Sequence, residues 1–360
     1  MNDSKPVKPQ WSVREYQEGD EDQILELRGI VLSDSRDSQW WRWMYRNGPD
    51  GPVNLWLADD KQKVVGVNPG LPLRMKIGDQ VCKSALCFDV MTHPEYQRQG
   101  VLSALGVVGN EYRLNNGFSI DYGTSTLQKY PIYQKLKLPS IIFAICQPPS
   151  MVKVINWAKV LKTRYRIPAF IGNLLGYVRE RLSRRVSSSH YDDIEVEQIS
   201  SFNENIDAFW LKASEIKQIM LVRDMKYLNW RYVEKPGNEY VIFLAKRQKE
   251  IVGYIVVKKI ETKTIIRGAI IDLLTLPRED IVAEALITGA IRYLHREGVA
   301  MISCLMLPET PYYRILKKMG FMRRCSRIQL NVRLYDQNLS KEFVTDSSNW
   351  YFVWGDTDTT

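Results

Sequence analysis

The sequence of 360 residues predicts an α/β protein in which one mixed-sheet domain is built twice in tandem. Two observations lead to this prediction. The first is an internal repeat, and the second is a shared order of elements, a β-hairpin followed by a strand–helix–strand unit. Each copy is therefore expected to form a twisted mixed β-sheet flanked by helices, and the length suits two domains.

The repeat is visible at three places in the same order along the chain. The run 36–45, RDSQWWRWMY, aligns without a gap with 223–232, RDMKYLNWRY. Two later triplets match with a small drift in register. The first match pairs Asp89, Thr92 and Pro94 with Asp272, Thr275 and Pro277. The second pairs Pro131, Tyr133 and Leu136 with Pro311, Tyr313 and Leu316. Chance produces one such match but not three in order.

Residue patterning predicts the elements of each copy. Runs of β-branched and aromatic residues bounded by turn residues predict strands, and apolar residues spaced by three and four predict helices. In the first copy we expect a hairpin at 53–67, a strand at 84–92, a helix from 101 to 115, a strand at 118–123 and a short helix at 130–136. In the second copy we expect a hairpin at 241–257, strands at 268–274 and 300–305, and helices at 281–296 and 310–319.

These elements predict a first domain at 1–147, a linker at 148–190, a second domain at 191–335 and a tail at 336–360. Within the linker, 151–187 has nine Lys and Arg residues against the single acid Glu180, so it carries most of the formal charge of +9. We interpret this segment as a cationic helix over the domain junction. Weak contact with an anionic membrane surface stays open as the alternative. Because the rest is nearly neutral, no nucleic-acid partner is expected.

Composition also limits the class of protein. The polar start MNDSKPVKPQ and the lack of a long apolar run predict a cytoplasmic protein. The five cysteines lie in apolar surroundings without metal-ligand spacing, so we expect reduced core thiols and no metal.

A strand, a polar turn with a glycine and an amphipathic helix follow one another between Phe88 and Leu105. The start of a helix presents unpaired N–H groups and the positive end of the helix dipole, which together bind anions. Gly100 lets the backbone approach the anion closely, and Arg98 adds a positive charge beside it. The segment therefore predicts a phosphate-binding turn.

This turn resembles the Q/R-x-x-G-x-G/A signature of the GNAT superfamily of acyl-CoA-dependent N-acyltransferases, met here as Gln97-x-x-Gly100-x-Leu102. Leu102 departs from the Gly or Ala of that signature. The resemblance extends over both copies and implies a tandem GNAT protein with acetyl-CoA or another acyl-CoA as co-substrate. The resemblance implies that the strand end, Val90, Met91 and Thr92, pairs with the pantetheine. It also implies that the turn holds the pyrophosphate through Gln97, Arg98, Gln99, Gly100, Val101, Leu102 and Ser103.

The resemblance also implies a catalytic tyrosine. The segment around Tyr133 resembles the family's Y-x-x-x-G-F helix, with Lys137 at the glycine position, and a tyrosine there protonates the departing CoA thiolate. A packing role for Tyr133 stays open. Asp89 is the candidate general base, although the equivalent Asp272 leaves a role in the fold open too. The alternatives are His93 and Glu95 in the turn, Asp121 on the next strand, and an ordered water.

The second copy lacks the turn. At the matching place it has no glycine, and Glu279 and Asp280 stand where phosphates would lie. Carboxylates complement a helix N-terminus and would repel a pyrophosphate. We therefore expect one CoA site per chain.

The favoured function is transfer of an acyl group, in the first instance acetyl, from acyl-CoA to a small amine such as an amino sugar or an amino-acid derivative. One alternative is a transferase resembling the Fem type, which uses aminoacyl-tRNA. The other is a non-catalytic scaffold that binds CoA. The sequence does not identify the acceptor or the oligomeric state.

Overall fold

The computed structural model describes residues 10–34, 36–165, 191, 193–237 and 239–358. The elements up to residue 165 are β1 (Ser12–Glu15), α1 (Glu21–Leu32), α2 (Ser38–Trp41, continued by a π-helical turn Arg42–Arg46), β2 (Asn54–Asp59), β3 (Val64–Ile77), β4 (Gln80–Cys87), β5 (Met91–Thr92), α3 (Val101–Asn115), β6 (Ile120–Thr126), α4 (Tyr130–Lys135), β7 (Ile142–Cys146), β8 (Ser150–Val154) and α5 (Trp157–Tyr165).

The elements after residue 190 are β9 (Glu195–Ile199), α6 (Asn205–Ala213), β10 (Ile219–Leu221), α7 (Met225–Tyr232), β11 (Tyr240–Arg247), β12 (Glu250–Glu261), β13 (Ile266–Thr275), α8 (Asp280–Arg296), β14 (Met301–Leu305), α9 (Pro311–Lys318), β15 (Met322–Arg324), β16 (Ile328–Leu334) and α10 (Lys341–Thr345).

The chain forms two compact units, each assembled from separate segments. The first comprises the described residues up to Met75, Val81–Ile145 and Gln329–Thr345. The second comprises Lys76–Gln80, the described residues between Cys146 and Ile328, and those from Asp346 onward. Each unit contains one mixed sheet, so the predicted fold class, α/β with two tandem mixed-sheet domains, is confirmed.

The sheet of the first unit has the order β1-β2-β3-β4-β6-β16-β7, and the short β5 pairs with β3. The strands β4 and β6 run parallel, as the crossover helix α3 between them requires. On one face, Val101 and Leu105 of α3 pack against Trp56, Ala58 and Val65. This packing fixes the start of α3 against the hairpin β2–β3.

The sheet of the second unit has the order β15-β8-β14-β13-β12-β11-β9. The strands β13 and β14 run parallel and are joined by α8, in the same strand–helix–strand arrangement as in the first unit. Two strands from distant segments complete the sheets: β8 lies between β15 and β14, and β16 lies between β6 and β7.

The predicted boundaries therefore do not coincide with the compact units. The strand Ser150–Val154, which was expected in the linker, belongs to the second sheet, and residues 329–335, expected in the second domain, belong to the first unit. The physical reason is strand exchange, since periodicity shows that a segment is a strand but not which sheet accepts it. Much of the predicted basic linker, 166–190, lies outside the described residues.

The predicted hairpins, crossover helices and short helices are present within a few residues of their expected bounds, except that β3 continues to Ile77 where the predicted hairpin ended at 67. One difference matters for function. The strand expected at 84–92 is interrupted, because β4 ends at Cys87 and β5 begins at Met91. At the interruption Asp89 has a φ of 44°, a left-handed conformation that Asp tolerates better than most residues.

The five cysteines are free thiols. Cys304 is buried, as expected of a core residue, but Cys325 is exposed, which corrects the expectation that all five are buried. Within the described ranges, no helix combines the length and apolar character that a membrane span requires.

Candidate functional site

The turn before α3 has the geometry of an anion-binding helix start. Arg98 and Gly100 have φ values of 64° and 85°, so two left-handed residues reverse the chain just before the helix. The first intrahelical hydrogen bond runs from Ala104 N–H to the Gly100 carbonyl, at 3.0 Å. The N–H groups of 101–103 therefore have no intrahelical acceptor and point out of the helix start.

Gly100 is the residue that makes this turn open. A Cβ built on it would have no atom within 4 Å, although its φ disfavours every side chain. Among the residues that the structure describes, none therefore fills the 4 Å around this point of the helix start, which leaves room for a ligand. Gln97, Arg98 and Gln99 are exposed around it, and Gln99 donates to the Glu95 carbonyl at 2.9 Å.

The strand end before the turn is held on one side only. Met91 and Thr92 pair with Val67 and Gly66 of β3. The parallel pairing of β4 with β6 ends at the pair Leu86–Tyr122. Beyond this pair the strand is interrupted at residues 88–90, between β4 and β5. The break separates the strand end from β6.

A cavity of about 90 Å³ lies in the first unit at this break. Among its lining residues are Val90 beside the strand break, Leu102 of α3 and Tyr133 of α4. The structure thus brings together three of the residues predicted for the cofactor and for catalysis. Leu102 and Tyr133 are half-buried, so they lie toward the mouth of the cavity.

The floor of the cavity is a polar cluster of which the sequence indicates only Asp121, as an alternative base. Arg113 of α3, 1% exposed, lies 3.6 Å from the Asp121 carboxylate, measured from Nη1 to Oδ2. Asp121 also accepts a hydrogen bond from the Tyr335 hydroxyl at 2.6 Å. Burial and the charge of Asp121 raise the pKa of the Cys87 thiol to about 12, so this lining group is neutral.

The strand β16 contributes the rest of the floor. Asn331 donates from Nδ2 to Ser125 Oγ at 2.9 Å, while no residue that the structure describes forms a hydrogen bond with its buried Oδ1. Arg333 donates from Nη1 to the Ser140 carbonyl at 2.8 Å. No local signal in the sequence could have placed these residues here, because their strand comes from the far end of the chain.

Tyr133 places a phenol at the lining of the cavity. Burial, and then the nearby Cys87, raise the pKa of its phenol, against a lowering effect of Arg333. A phenol with a raised pKa keeps its proton at neutral pH, and so it can donate that proton to a leaving thiolate.

Asp89 lies at the strand break but is not among the cavity-lining residues. Its side chain is 5% exposed, forms an ion pair with Arg28 and accepts from the Tyr45 hydroxyl at 3.2 Å. Burial raises the pKa of this carboxyl despite the opposing charge of Arg28. In the second unit Asp272 accepts from Arg223, Tyr232 and Tyr254 in the same way. These contacts favour a role in holding the strand break.

The equivalent place in the second unit is occupied by its own side chains. Glu279 at the start of α8 binds Arg247, with 2.5 Å between Oε1 and Nη1. The Tyr312 hydroxyl accepts from Thr275 N–H at 2.8 Å, at the strand end that matches Thr92. Neither the helix start nor the strand end is therefore open in the manner of the first unit.

Comparison with known proteins agrees with this geometry. The family model of the GNAT acetyltransferase domain matches residues 12–136, which contain the turn, the strand break and Tyr133. No curated protein matches the chain. Residues 12–136 therefore match a GNAT acetyltransferase domain, and the second mixed sheet of the chain fits a tandem arrangement.

Two solved structures are similar in fold. One is a conserved protein of unknown function and probable N-acyltransferase from Enterococcus faecalis, with a TM-score of 0.64, 9% identity, and coverage of 90% of this chain and 73% of that one. The other is a GCN5-related N-acetyltransferase from Anabaena variabilis, with a TM-score of 0.65, 13% identity, and coverage of 91% and 73%. At such identities the likeness concerns the fold alone.

Proposed function

We propose that this chain is an acyl-CoA-dependent N-acyltransferase that transfers an acyl group, in the first instance acetyl, to a small amine. The observation that carries the proposal is the open helix start of α3, where Gly100 is left-handed and unobstructed. Unpaired amides, the helix dipole and Arg98 together suit a pyrophosphate.

In this proposal the pantetheine follows the strand end Val90, Met91 and Thr92 into the strand break. Tyr133 then protonates the departing thiolate, since its phenol lines the cavity and keeps its proton. Hydrogen bonds from backbone amides at the strand end would stabilise the oxyanion of the tetrahedral intermediate. Acyl transfer forms the new C–N bond and breaks the C–S bond, and water takes up the proton that the amine loses.

The test compares two substitutions at the two ends of α3. Acetyl-CoA should raise the melting temperature of the wild type, since a ligand that binds only the native state stabilises it. The substitution Gly100→Glu should abolish that increase because a carboxylate would occupy the anion site. The matched control is Gly117→Glu, because Gly117 is also left-handed, at a φ of 71°, and is also unobstructed.

Three outcomes separate the functions. Loss of the acetyl-CoA effect in Gly100→Glu alone, with thiol release from the wild type in the presence of amines, supports the transferase. Binding without thiol release across a broad amine panel favours a CoA-binding scaffold. A wild-type melting temperature that millimolar acetyl-CoA leaves unchanged would refute the proposal.

A further inference from the structure

The polar floor of the cavity carries a net positive charge. Three of the lining residues are charged: Arg113, Arg333 and Asp121. Arginine stays protonated at every physiological pH, so two positive charges face one carboxylate. A buried charge without a compensating partner is unfavourable, and this excess therefore calls for an anion.

The hydrogen bonds of the floor are also incomplete. Arg113 is 1% exposed, and its Nε and Nη2 atoms have no hydrogen-bond partner among the described residues. Its guanidinium lies against Gly70, where any Cβ would clash with Nη2. Buried donors without partners are rare in folded proteins, and each one indicates strain or a missing ligand.

Asn331 adds an unmet acceptor to the same cavity. Within the described part of the chain its buried Oδ1 has no partner, while Nδ2 donates to Ser125 Oγ and to the Gln329 carbonyl at 3.1 Å. These two bonds set the orientation of the amide, so Oδ1 is free to accept from a ligand N–H. The floor thus combines excess positive charge with one acceptor.

We propose that this floor binds the carboxylate of an amino-acid-type acceptor, with Arg113 and Arg333 as the anion-binding residues and Asn331 as the acceptor for an N–H of the same molecule. This inference rests on the proposed acyl transfer and selects amino-acid derivatives over amino sugars as acceptors. Arginine binds carboxylates through paired charge-assisted hydrogen bonds, which suit a planar anion. The cavity, at about 90 Å³, is smaller than the ~150 Å³ site that admits a benzene ring, so only a small group fits at its floor.

A carboxylate could also arrive on the acyl group of the donor, and the experiment separates the two sources. The acceptor arm compares N-acetylglycine with N-acetylglycinamide by calorimetry, because these product analogues differ only at the carboxylate. The donor arm compares succinyl-CoA with butyryl-CoA, which have equal chain length with and without the terminal carboxylate.

The variants are Arg113→Met, Arg333→Gln and the control Arg74→Gln, which removes an arginine of the same unit outside the cavity. We expect N-acetylglycine to bind at least about tenfold more tightly than its amide, because a charge-assisted hydrogen bond is involved. Arg113→Met and Arg333→Gln should abolish this preference, whereas Arg74→Gln should keep it. If Arg113→Met does not fold, Arg333→Gln alone decides.

Equal binding of the acid and the amide, or a preference that survives in Arg333→Gln, overturns the inference. A preference for succinyl-CoA without binding of N-acetylglycine also overturns it, because the carboxylate then belongs to the donor. Binding of N-acetylglycine that depends on Arg333, in a protein that neither binds acetyl-CoA nor releases thiol, would keep the carboxylate site and refute the acyl transfer.

Discussion

At the scale of single residues, the site depends on which groups keep their protons. The raised pKa of Tyr133 makes its phenol an acid that is present throughout the neutral range. The buried Cys87 thiol is neutral for the same reason and does not compete as a nucleophile. The chemistry of the cavity is therefore expected to depend on the tyrosine and not on the cysteine.

Replacement of Tyr133 by Phe should lower the rate of transfer and leave donor binding intact. General acid catalysis contributes about a hundredfold or more, and we expect a loss of kcat of that order. The wild-type alkaline limb of kcat should lie above the usual tyrosine pKa and disappear in Tyr133→Phe. Steady-state kinetics against pH, with calorimetry of acetyl-CoA, measure both effects. A kcat within twofold of the wild type would assign Tyr133 to packing.

The substitution Asp89→Asn tests whether this carboxylate acts in chemistry or in the fold. It should lower the free energy of unfolding by about 3 kcal/mol, since it leaves the buried Arg28 without the Asp89 charge. Denaturant titration measures this loss, and thiol release below the unfolding transition should stay within a few-fold of the wild type. A hundredfold loss of kcat at unchanged stability would instead identify Asp89 as the general base.

At the scale of elements, local signals were sufficient to predict the turn and the start of α3 but not the floor of the cavity. Gly100 and the apolar spacing of α3 are signals that lie within a few residues of each other in the sequence. The start of the helix could therefore be predicted from the sequence. Asn331 and Arg333 reach the cavity through β16, whose place between β6 and β7 depends on strand pairing. Likewise the break at Asp89 is a backbone feature that alternation of apolar residues does not encode.

The C-terminal segment is a second element whose place could not be read locally. In the second unit Arg223 binds both Asp272 and Asp356, at 3.1 and 2.7 Å. The carbonyl groups of Gly355 and Thr357 accept from Arg231 at 2.9 and 2.6 Å. The segment is thus held by buried arginines, whose partners lie more than a hundred residues away in the sequence.

Stability of the second unit should consequently depend on pH through Asp356. Burial, opposed by Arg223, and the charge of Asp272 raise the pKa of Asp356 from 3.8 to about 6. Because the folded pKa is the higher one, the native state binds more protons between these values, and stability falls as pH rises from about 4 to about 6. Denaturant titrations across this range should show that Asp356→Asn removes this part of the fall. An identical pH profile in both proteins would contradict the assignment.

At the scale of the whole molecule, the two units share the chain in an interleaved way. The first unit needs residues 329–345 in addition to its N-terminal segments, and the second includes the strand that follows Gln147. A sheet that lacks an interior strand exposes unpaired edges, which favour aggregation over folding. The boundary suggested by the repeat is therefore a poor place to divide the protein.

A pair of shortened chains tests this interleaving. Residues 10–147 alone lack β16, and with it Asn331 and Arg333, so we expect no cooperative unfolding and no stabilisation by acetyl-CoA. Residues 10–147 joined to 326–345 by a flexible linker of about fifteen Gly and Ser residues restore the missing strand. This joined chain should unfold cooperatively and gain stability from acetyl-CoA, and Gly100→Glu within it should remove that gain. If 10–147 alone unfolds cooperatively with the same response to acetyl-CoA, β16 is dispensable, and the floor that it contributes is not required for the donor site.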